Sequence, residues 1–214
     1  MTSSSVDQTR SAPSHRALLV VDPYNDFLSR AGKGWPLIGV VVKRVDTIAN
    51  IGRAIDASRD AGVPVVYAPH HQYTKGQQPV RFPNPTQLMA PRVRFFARSK
   101  RGSRFLPILA PAPGEFVARE HPVSSGFTDT GLHEHLQAIE VSDIVVTGML
   151  TNTCIESTVR AAVDLGYHVT VVSDAFASWT HEDHDASIEG SLPKVAHAVH
   201  TTDSYIASLE KITR

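Results

Sequence analysis

The chain has one cysteine, Cys154, in the segment MLTNTCIEST that directly follows the apolar run DIVVTG. A single thiol can form neither an internal disulfide nor an all-cysteine zinc site, so it serves either packing or chemistry. The Thr-Cys-Ile-Glu pattern predicts a capping box, with Thr153 as N-cap, Cys154 at the first helical position and Glu156 reaching back. The first-turn N–H groups and the helix dipole would favour a thiolate and hold an oxyanion. The pattern therefore predicts a nucleophile at neutral pH, with a packed core thiol as the open alternative.

Two further segments offer partners for a thiol. Asp22 closes the apolar run ALLVVD, and a carboxylate at that point could take the thiol proton and return it to a leaving group. The alternative for Asp22 is a turn cap before Pro23. On a strand over residues 115–121, the two-residue alternation places Val117, Arg119 and His121 on one face. One cation from that face could reach the site, or either side chain could instead bond a surface loop.

The elements that must position these residues alternate along the chain. The apolar patterns predict strands over 17–22, 63–68, 115–121, 143–148, 168–175 and 198–202. They predict helices over 36–61, 129–139, after Cys154, over 183–198 and after residue 202, with Gly62 ending the first. Alternation of this kind indicates one parallel sheet with helices on both faces and a ligand beyond the carboxyl ends of the strands. The Pro-rich segment 69–113 is predicted to be a functional loop or lid.

Composition excludes several classes of function. The chain has 214 residues with 21 basic and 21 acidic side chains, so no net charge attracts nucleic acid or an anionic membrane. No apolar run reaches the ~20 residues of a membrane span. We expect residues 1–15 to be a disordered tail, residues 16–214 to be one domain, and the protein to be cytoplasmic. No GxGxxG or GxxxxGK[ST] motif occurs, so we expect a small, roughly neutral ligand and no cofactor.

Three segments in order carry a resemblance to a known family: ALLVVDPYNDF, REHPVSSGFTDTGL and GMLTNTCIESTVRAAVDLGYHVTVVSDA. They resemble the signature segments of the isochorismatase-like cysteine hydrolases, over about residues 17–205. The resemblance implies a three-layer αβα fold with a central six-stranded parallel sheet, and an Asp-Lys-Cys triad to which Asp22 and Cys154 would contribute. It also implies a cis peptide between Met149 and Leu150, with the Leu150 and Cys154 amides as the oxyanion hole.

The sequence departs from this family at the lysine. When the Ser-x-Phe pair at 125–127 is aligned without gaps, His121 occupies the lysine position, and a shift by one residue pair would place Arg119 there. We expect His121, with Arg119 as the second candidate. A site of Asp22, His121 and Cys154 would behave more like a Cys-His thiol hydrolase.

Other residues border the predicted site. Nicotinamidase-type relatives keep an Asp-x-His metal site after the second strand, but this chain reads YAPHHQYT there and has no aspartate. We therefore expect no metal. The candidates for substrate contact share a place in segments next to the strand ends: Asn25, Phe27, Trp35, His70, Tyr73 and Phe127.

These features predict a cofactor-independent hydrolase that cleaves a small amide-type C–N bond through a Cys154 thioester, with Asp22 as the general acid and base. Two alternatives stay open. One is isochorismatase-type cleavage of a vinyl ether, in which the thiol is dispensable. The other is a catalytically silent binding protein of the same fold. The family resemblance also implies a homodimer or homotetramer, for which no contact face can be read from the sequence.

Overall fold

A central parallel sheet organises the protein. The computed structural model describes residues 15–210, with the side chain of Glu210 left aside. The strands are β1 (Arg16–Val21), β2 (Val65–Ala68), β3 (Phe116–Val117), β4 (Asp143–Met149), β5 (His168–Ala177) and β6 (Ala198–His200). Their spatial order is β3-β2-β1-β4-β5-β6, and every pairing is parallel. This confirms the predicted α/β class and the six-stranded parallel sheet.

Helices cover both faces of this sheet. They are α1 (Asn25–Leu28), α2 (Trp35–Arg44), α3 (Thr47–Asp60), α4 (Pro85–Arg92), α5 (Leu132–Ala138), α6 (Glu156–Asp164), α7 (His181–Asp185) and α8 (Thr202–Glu210). The alternation along β1 shows how the layers are built. Leu18 and Val20 enter the core beneath α2, α3 and α8, whereas Leu19 and Val21 enter the core beneath α5 and α6. A strand buried on both faces must be apolar throughout, which is why ALLVV shows no polar alternation.

The predicted helix over 36–61 is in fact two helices. Asp46 has φ of 54°, in the left-handed region, and breaks the chain between α2 and α3. The Asn50 side chain donates to the Val45 carbonyl across the break. Because α2 and α3 pack on the same core, the apolar periodicity of the sequence continues through the break. The sequence pattern therefore gave no sign of it. Gly62, with φ of 69°, follows the end of α3 as predicted.

Several predicted elements are shorter in the structure. Strand β3 has two residues instead of the seven predicted over 115–121, and β6 ends at His200. The predicted helix over 183–198 is replaced by α7, a π turn over Ala186–Ser191 and a 3-10 turn over Leu192–Lys194. Pro193 lacks the N–H that a longer helix would need, which explains part of this difference.

The long segment 69–113 contains regular structure that periodicity did not predict. Helix α4 begins with a capping box in which the Asn84 side chain accepts from the Gln87 N–H and the Gln87 side chain accepts from the Asn84 N–H. The Asp26 carboxylate of α1 accepts the Phe96 N–H at 2.7 Å and so fixes the middle of this segment. The segment is thus a structured cover over one edge of the sheet.

Two expectations concern the N-terminal tail and a possible membrane span. The predicted tail over 1–15 lies outside the described residues except for His15, whose carbonyl accepts the Ser142 N–H. Among residues 15–210, no helix is both long enough and apolar enough to span a bilayer.

Gly148 offers a test of the sheet packing. It has φ of 122°, and a Cβ added there would lie 2.0 Å from the Val21 carbonyl oxygen. We expect Gly148→Ala to lower the free energy of unfolding in urea by about 2 to 5 kcal/mol, from backbone strain and overpacking together. Gly190→Ala is the control, because nothing lies within 4 Å of its added Cβ. Equal stability of the two variants would show that the β1–β4 contact is misassigned.

Candidate active site

Asp22 follows the last residue of β1 and is held in an unusual backbone conformation. Its φ of 50° lies in the left-handed region, which aspartate tolerates better than most residues. Its N–H donates to the Ala68 carbonyl, and its own carbonyl accepts the Tyr24 N–H at 2.7 Å. The side chain is fully buried. The end of the sheet therefore holds this carboxylate in one place, at the ligand edge expected for a parallel sheet.

His121 reaches the same place from the neighbouring chain segment. Beyond the end of β3, its N–H donates to the Pro69 carbonyl and its carbonyl accepts the His71 N–H. These bonds extend the parallel pairing past the regular strands and place the imidazole against Asp22. The His121 Nε2 to Asp22 Oδ1 distance is 3.0 Å, and both side chains are fully buried.

Cys154 enters the cluster from the start of a helix, but not at the predicted position. The chain turns out of β4 through a cis peptide between Met149 and Leu150, as predicted. A π turn over Thr151–Ile155 then leads directly into α6. The predicted capping box is wrong: helical bonding begins before Thr153, and the Glu156 side chain accepts from the Ser191 hydroxyl instead. Cys154 is the fourth residue of this helical run. Single π turns of this kind are frequent at functional sites.

Asp22, His121 and Cys154 converge, with one donor atom from each within 4.8 Å of the others. Burial raises the pKa of the Cys154 thiol well above its usual value, and the charge of the Asp22 carboxylate and a hydrogen bond to it raise the pKa further. Bonds from Thr153 and the Leu150 backbone lower it by less. The expectation of a thiolate at neutral pH is therefore wrong for the free protein. Burial and the neighbouring carboxylate outweigh the helix terminus, so the resting cysteine is a thiol that must pass its proton to a base.

The raised pKa of Cys154 gives an alkylation prediction. Because the thiolate is the reactive form, the rate of iodoacetamide labelling at Cys154 should keep rising as the pH passes the ~8.5 of a free cysteine. The measurement is peptide mass spectrometry across pH 6–10, with glutathione as the reference thiol. A plateau below pH 8 would mean that the thiol is ionised in the resting protein, contrary to its surroundings.

The thiol opens onto a cavity of about 270 Å³. Three of the predicted substrate contacts, Phe27, His70 and Tyr73, line this cavity together with Leu150 and Cys154. Burial is the main cause that lowers the pKa of the His70 imidazole, so the ring is neutral at pH 7. The cavity therefore combines the Cys154 thiol with a neutral imidazole among its lining side chains.

Four predicted site residues lie elsewhere. The Asn25 amide donates to the carbonyls of Arg101, Arg104 and Phe105, so it fastens a loop. Trp35 packs on the core and beneath the Lys43 ammonium. The remaining two are Phe127, which stacks on Tyr167 beneath the opposite face of the sheet, and Arg119, which is exposed and donates to the Asp129 carbonyl.

The placement of Arg119 decides between the two candidates for the lysine position. Because β3 ends at Val117, the predicted alternation does not continue, and the irregular segment turns Arg119 outward and His121 inward. The structure thus brings His121, and not Arg119, to the aspartate and the cysteine.

Sequence reasoning missed much of the cavity wall. Phe95, Phe96 and Trp179 line it, together with Met89 and Val93 of the α4 region. These residues come from the long segment and from the turn that follows β5, outside the segment that carries Cys154. The available signal was the adjacent pair of phenylalanines between charged residues in the run RVRFFARSK.

The same three donors could also hold a metal ion. An aspartate oxygen, an imidazole nitrogen and a thiolate suit Zn²⁺, which takes such ligands at about 2.0–2.3 Å and leaves a fourth position open in catalytic sites. The 4.8 Å spread is wider than a bound ion would allow, so the groups would have to close in around it. His70 and His71 do not form a second cluster of this kind within residues 15–210.

Comparisons with known proteins agree with this architecture. The family model described as "Isochorismatase domain" matches residues 16–203. The ureidoacrylate amidohydrolase RutB of Serratia proteamaculans is 34% identical over 176 residues, covering 77% of this chain and 70% of that protein. RutB of Pantoea ananatis is 31% identical over 209 residues, covering 92% and 80%.

A solved structure of a cysteine hydrolase from Pseudomonas syringae pv. phaseolicola superposes with a TM-score of 0.80 at 24% identity, covering 99% of this chain and 100% of that one. This likeness supports the fold. The family match extends over nearly the whole domain and includes Asp22, His121 and Cys154. The chain therefore belongs to the isochorismatase family, within the isochorismatase-like cysteine hydrolase superfamily, and is a hydrolase.

Proposed function

We propose that this hydrolase cleaves a small amide-type C–N bond, with Cys154 as the nucleophile and Asp22 as the general acid and base. The observation that carries the proposal is the position of the Cys154 thiol at a cavity and beside the buried Asp22 carboxylate. The relatives named ureidoacrylate amidohydrolase add support from their own activity. The negative charge of the Asp22 carboxylate favours the neutral thiol of Cys154 in the free protein. The same carboxylate can take the thiol proton once a substrate carbonyl lies beside the sulfur.

The reaction then runs in two halves. Asp22 takes the thiol proton as the Cys154 sulfur attacks the substrate carbonyl, and an S–C bond forms while the carbonyl π electrons move to oxygen. The oxyanion returns its electrons, the C–N bond breaks, and Asp22 gives its proton to the leaving nitrogen. Water attacks the thioester with Asp22 as the base, and the thiol leaves with that proton. The protein ends in the state in which it began.

Two groups support these steps. The backbone N–H groups of Leu150 and Cys154 would hold the oxyanion, since both residues line the cavity next to the thiol. His121 orients Asp22 through the 3.0 Å hydrogen bond and so keeps the carboxylate aimed at the sulfur. His121 thus positions the base, at the position where the family resemblance would place a lysine.

The two alternatives make different demands on these residues. Vinyl-ether hydrolysis needs the acid of Asp22 but not the sulfur, and a silent binding protein needs neither. A packing role alone gives no reason for a fully buried carboxylate beside the sulfur, which disfavours the silent protein. The thiol at the cavity favours the amidase over the vinyl-ether reaction, which does not need the sulfur.

A substrate panel tests the proposal. Small amides, ureides and isochorismate are supplied to the wild type, Cys154→Ala and His121→Ala, and product release is measured by liquid chromatography. We expect turnover of at least one amide or ureide that both substitutions reduce. Turnover of isochorismate alone, retained in Cys154→Ala, would support the vinyl-ether reaction, and no turnover of any compound would support the silent protein.

The donor set also predicts inhibition by zinc. Zn²⁺ would bind the Cys154 thiolate, an Asp22 carboxylate oxygen and a His121 imidazole nitrogen. The ion would then block both the nucleophile and the base. We expect micromolar Zn²⁺ to abolish amide turnover and a chelator to restore it, while Mg²⁺, which prefers oxygen ligands, has no effect. Unchanged activity with Zn²⁺ would show that the three groups cannot close around an ion.

The compartment and the assembly belong to the same proposal. The expected cytoplasmic location and the homodimer or homotetramer both rest on the sequence and the family resemblance. Light scattering of the purified chain measures the assembly directly.

A further inference from the structure

The wall of the cavity is largely aromatic. Phe27 and Phe96 pack edge to face at 4.9 Å between ring centroids, and Trp179 meets Phe27 at 5.8 Å. Phe95 joins the same group against both Phe27 and Trp179. Several rings that meet at edge-to-face angles form a rigid apolar wall around the space beyond the thiol.

The polar part of the lining is uncharged. It consists of side chains that donate or accept hydrogen bonds without a formal charge at pH 7: Tyr73, Asn84, Thr86, Gln87, Ser124 and Thr153. Burial is the main cause that raises the pKa of Tyr73 to about 12, so its phenol stays neutral. His70 is neutral as described above. No lysine, arginine, aspartate or glutamate lines this cavity within the described part of the chain.

Cations are nearby but face another way. Arg92 and Arg94 follow the pocket-lining residues of α4, yet they line a separate groove of about 790 Å³ on the far side of Tyr73. Arg98 lines that groove as well, and its guanidinium pairs with Glu120 at 2.6 Å. The aromatic wall and Tyr73 thus separate the thiol from these positive charges.

From this lining we infer that the cavity binds uncharged amides or ureides that carry an apolar or aromatic substituent, and that it discriminates against substrates with a carboxylate. The inference rests on the proposed amidase function and narrows it. A carboxylate inside this wall would lose its water and find no cation, whereas a phenyl group would meet ring faces and edges. Ureidoacrylate, named in the relatives, is such an anion, so this chain is expected to prefer other substrates.

Matched pairs of compounds test the inference. The first pair is 3-phenylpropanamide and succinamate, which share the amide and differ in the remote group. The second pair is the methyl ester of ureidoacrylate and ureidoacrylate itself. We expect kcat/KM to be at least about tenfold higher for the neutral member of each pair that is turned over. Calorimetric binding to Cys154→Ala gives the same comparison without turnover, so a failed amidase proposal would not conceal the outcome.

A charge introduced into the wall gives the converse test. Val93 directly follows α4, lines the cavity and is 50% exposed, whereas Leu88 lies within α4, is 40% exposed and is outside the cavity. Val93→Arg should shift the ratio toward the carboxylate member by about fivefold or more, and Leu88→Arg should leave it unchanged. Equal or tighter binding of the carboxylates by the chain with Cys154→Ala alone would overturn the inference, as would failure of both neutral compounds to bind.

Discussion

Replacement of Cys154 by alanine should reduce kcat/KM for an amide substrate by about four orders of magnitude or more. Within residues 15–210, Cys154 supplies the one thiol that lines the cavity, and the full sequence contains no second cysteine. Loss of one sulfur atom costs little packing, since the side chain is small. The measurement is steady-state turnover of the best substrate from the panel, with residual activity compared to buffer alone.

Cys154→Ser is the matched control for this prediction. It keeps the shape of the side chain but replaces the thiol with a much weaker nucleophile, so it should also be inactive while unfolding at nearly the wild-type temperature. Retention of amide turnover by either variant would contradict the role of the sulfur. Turnover of isochorismate alone by Cys154→Ala or Cys154→Ser would support the vinyl-ether reaction.

Asp22→Asn should have the second largest effect, a loss of about 10²–10⁴-fold in kcat/KM, because the amide can neither take the thiol proton nor protonate the leaving nitrogen. The same substitution should increase the rate of alkylation at Cys154. The charge of Asp22 is the second cause of the raised pKa of Cys154, so its removal lowers that pKa and makes iodoacetamide labelling faster at pH 8. A purely structural role for Asp22 would expose the thiol and speed labelling at every pH, whereas loss of the Asp22 charge should move the labelling profile of Cys154 to lower pH.

Asp174→Asn provides the control for a lost carboxylate. Asp174 accepts from the N–H and the hydroxyl of Thr202 at the start of α8, away from the cavity. Its substitution should reduce stability without changing the pH profile of Cys154 labelling. If Asp22→Asn slowed labelling at every pH, the thiol and the carboxylate would not be coupled in the way that we describe.

The sequence predicted the place of a candidate site residue best where that residue follows the end of a strand. Asp22 and Cys154 could be identified because each follows a short apolar run, and parallel strands bring such ends to one edge. His121 could be aligned to the lysine position from the Ser-x-Phe pair, although its strand is much shorter than predicted. The cis peptide between Met149 and Leu150 followed from the resemblance of that turn.

Other features depend on contacts that sequence patterns do not reveal. The break at Asp46 was concealed because α2 and α3 pack on the same core. The aromatic wall joins Phe27, Phe95 and Trp179, which lie far apart along the chain. The state of the Cys154 thiol was predicted from its helix alone, whereas burial and Asp22 determine it in the fold. Local pattern and the family resemblance thus pointed to the side chains that converge in the fold, and tertiary packing sets their surroundings.

The most direct test is to trap the acyl intermediate. The wild-type protein is mixed with the best amide substrate, quenched in acid within the first turnover, digested, and analysed by mass spectrometry. The account predicts that the peptide with Cys154 gains the mass of the substrate acyl group, that hydroxylamine removes it, and that Asp22→Asn greatly reduces its formation. Rapid turnover with no acyl mass on Cys154 would contradict the account.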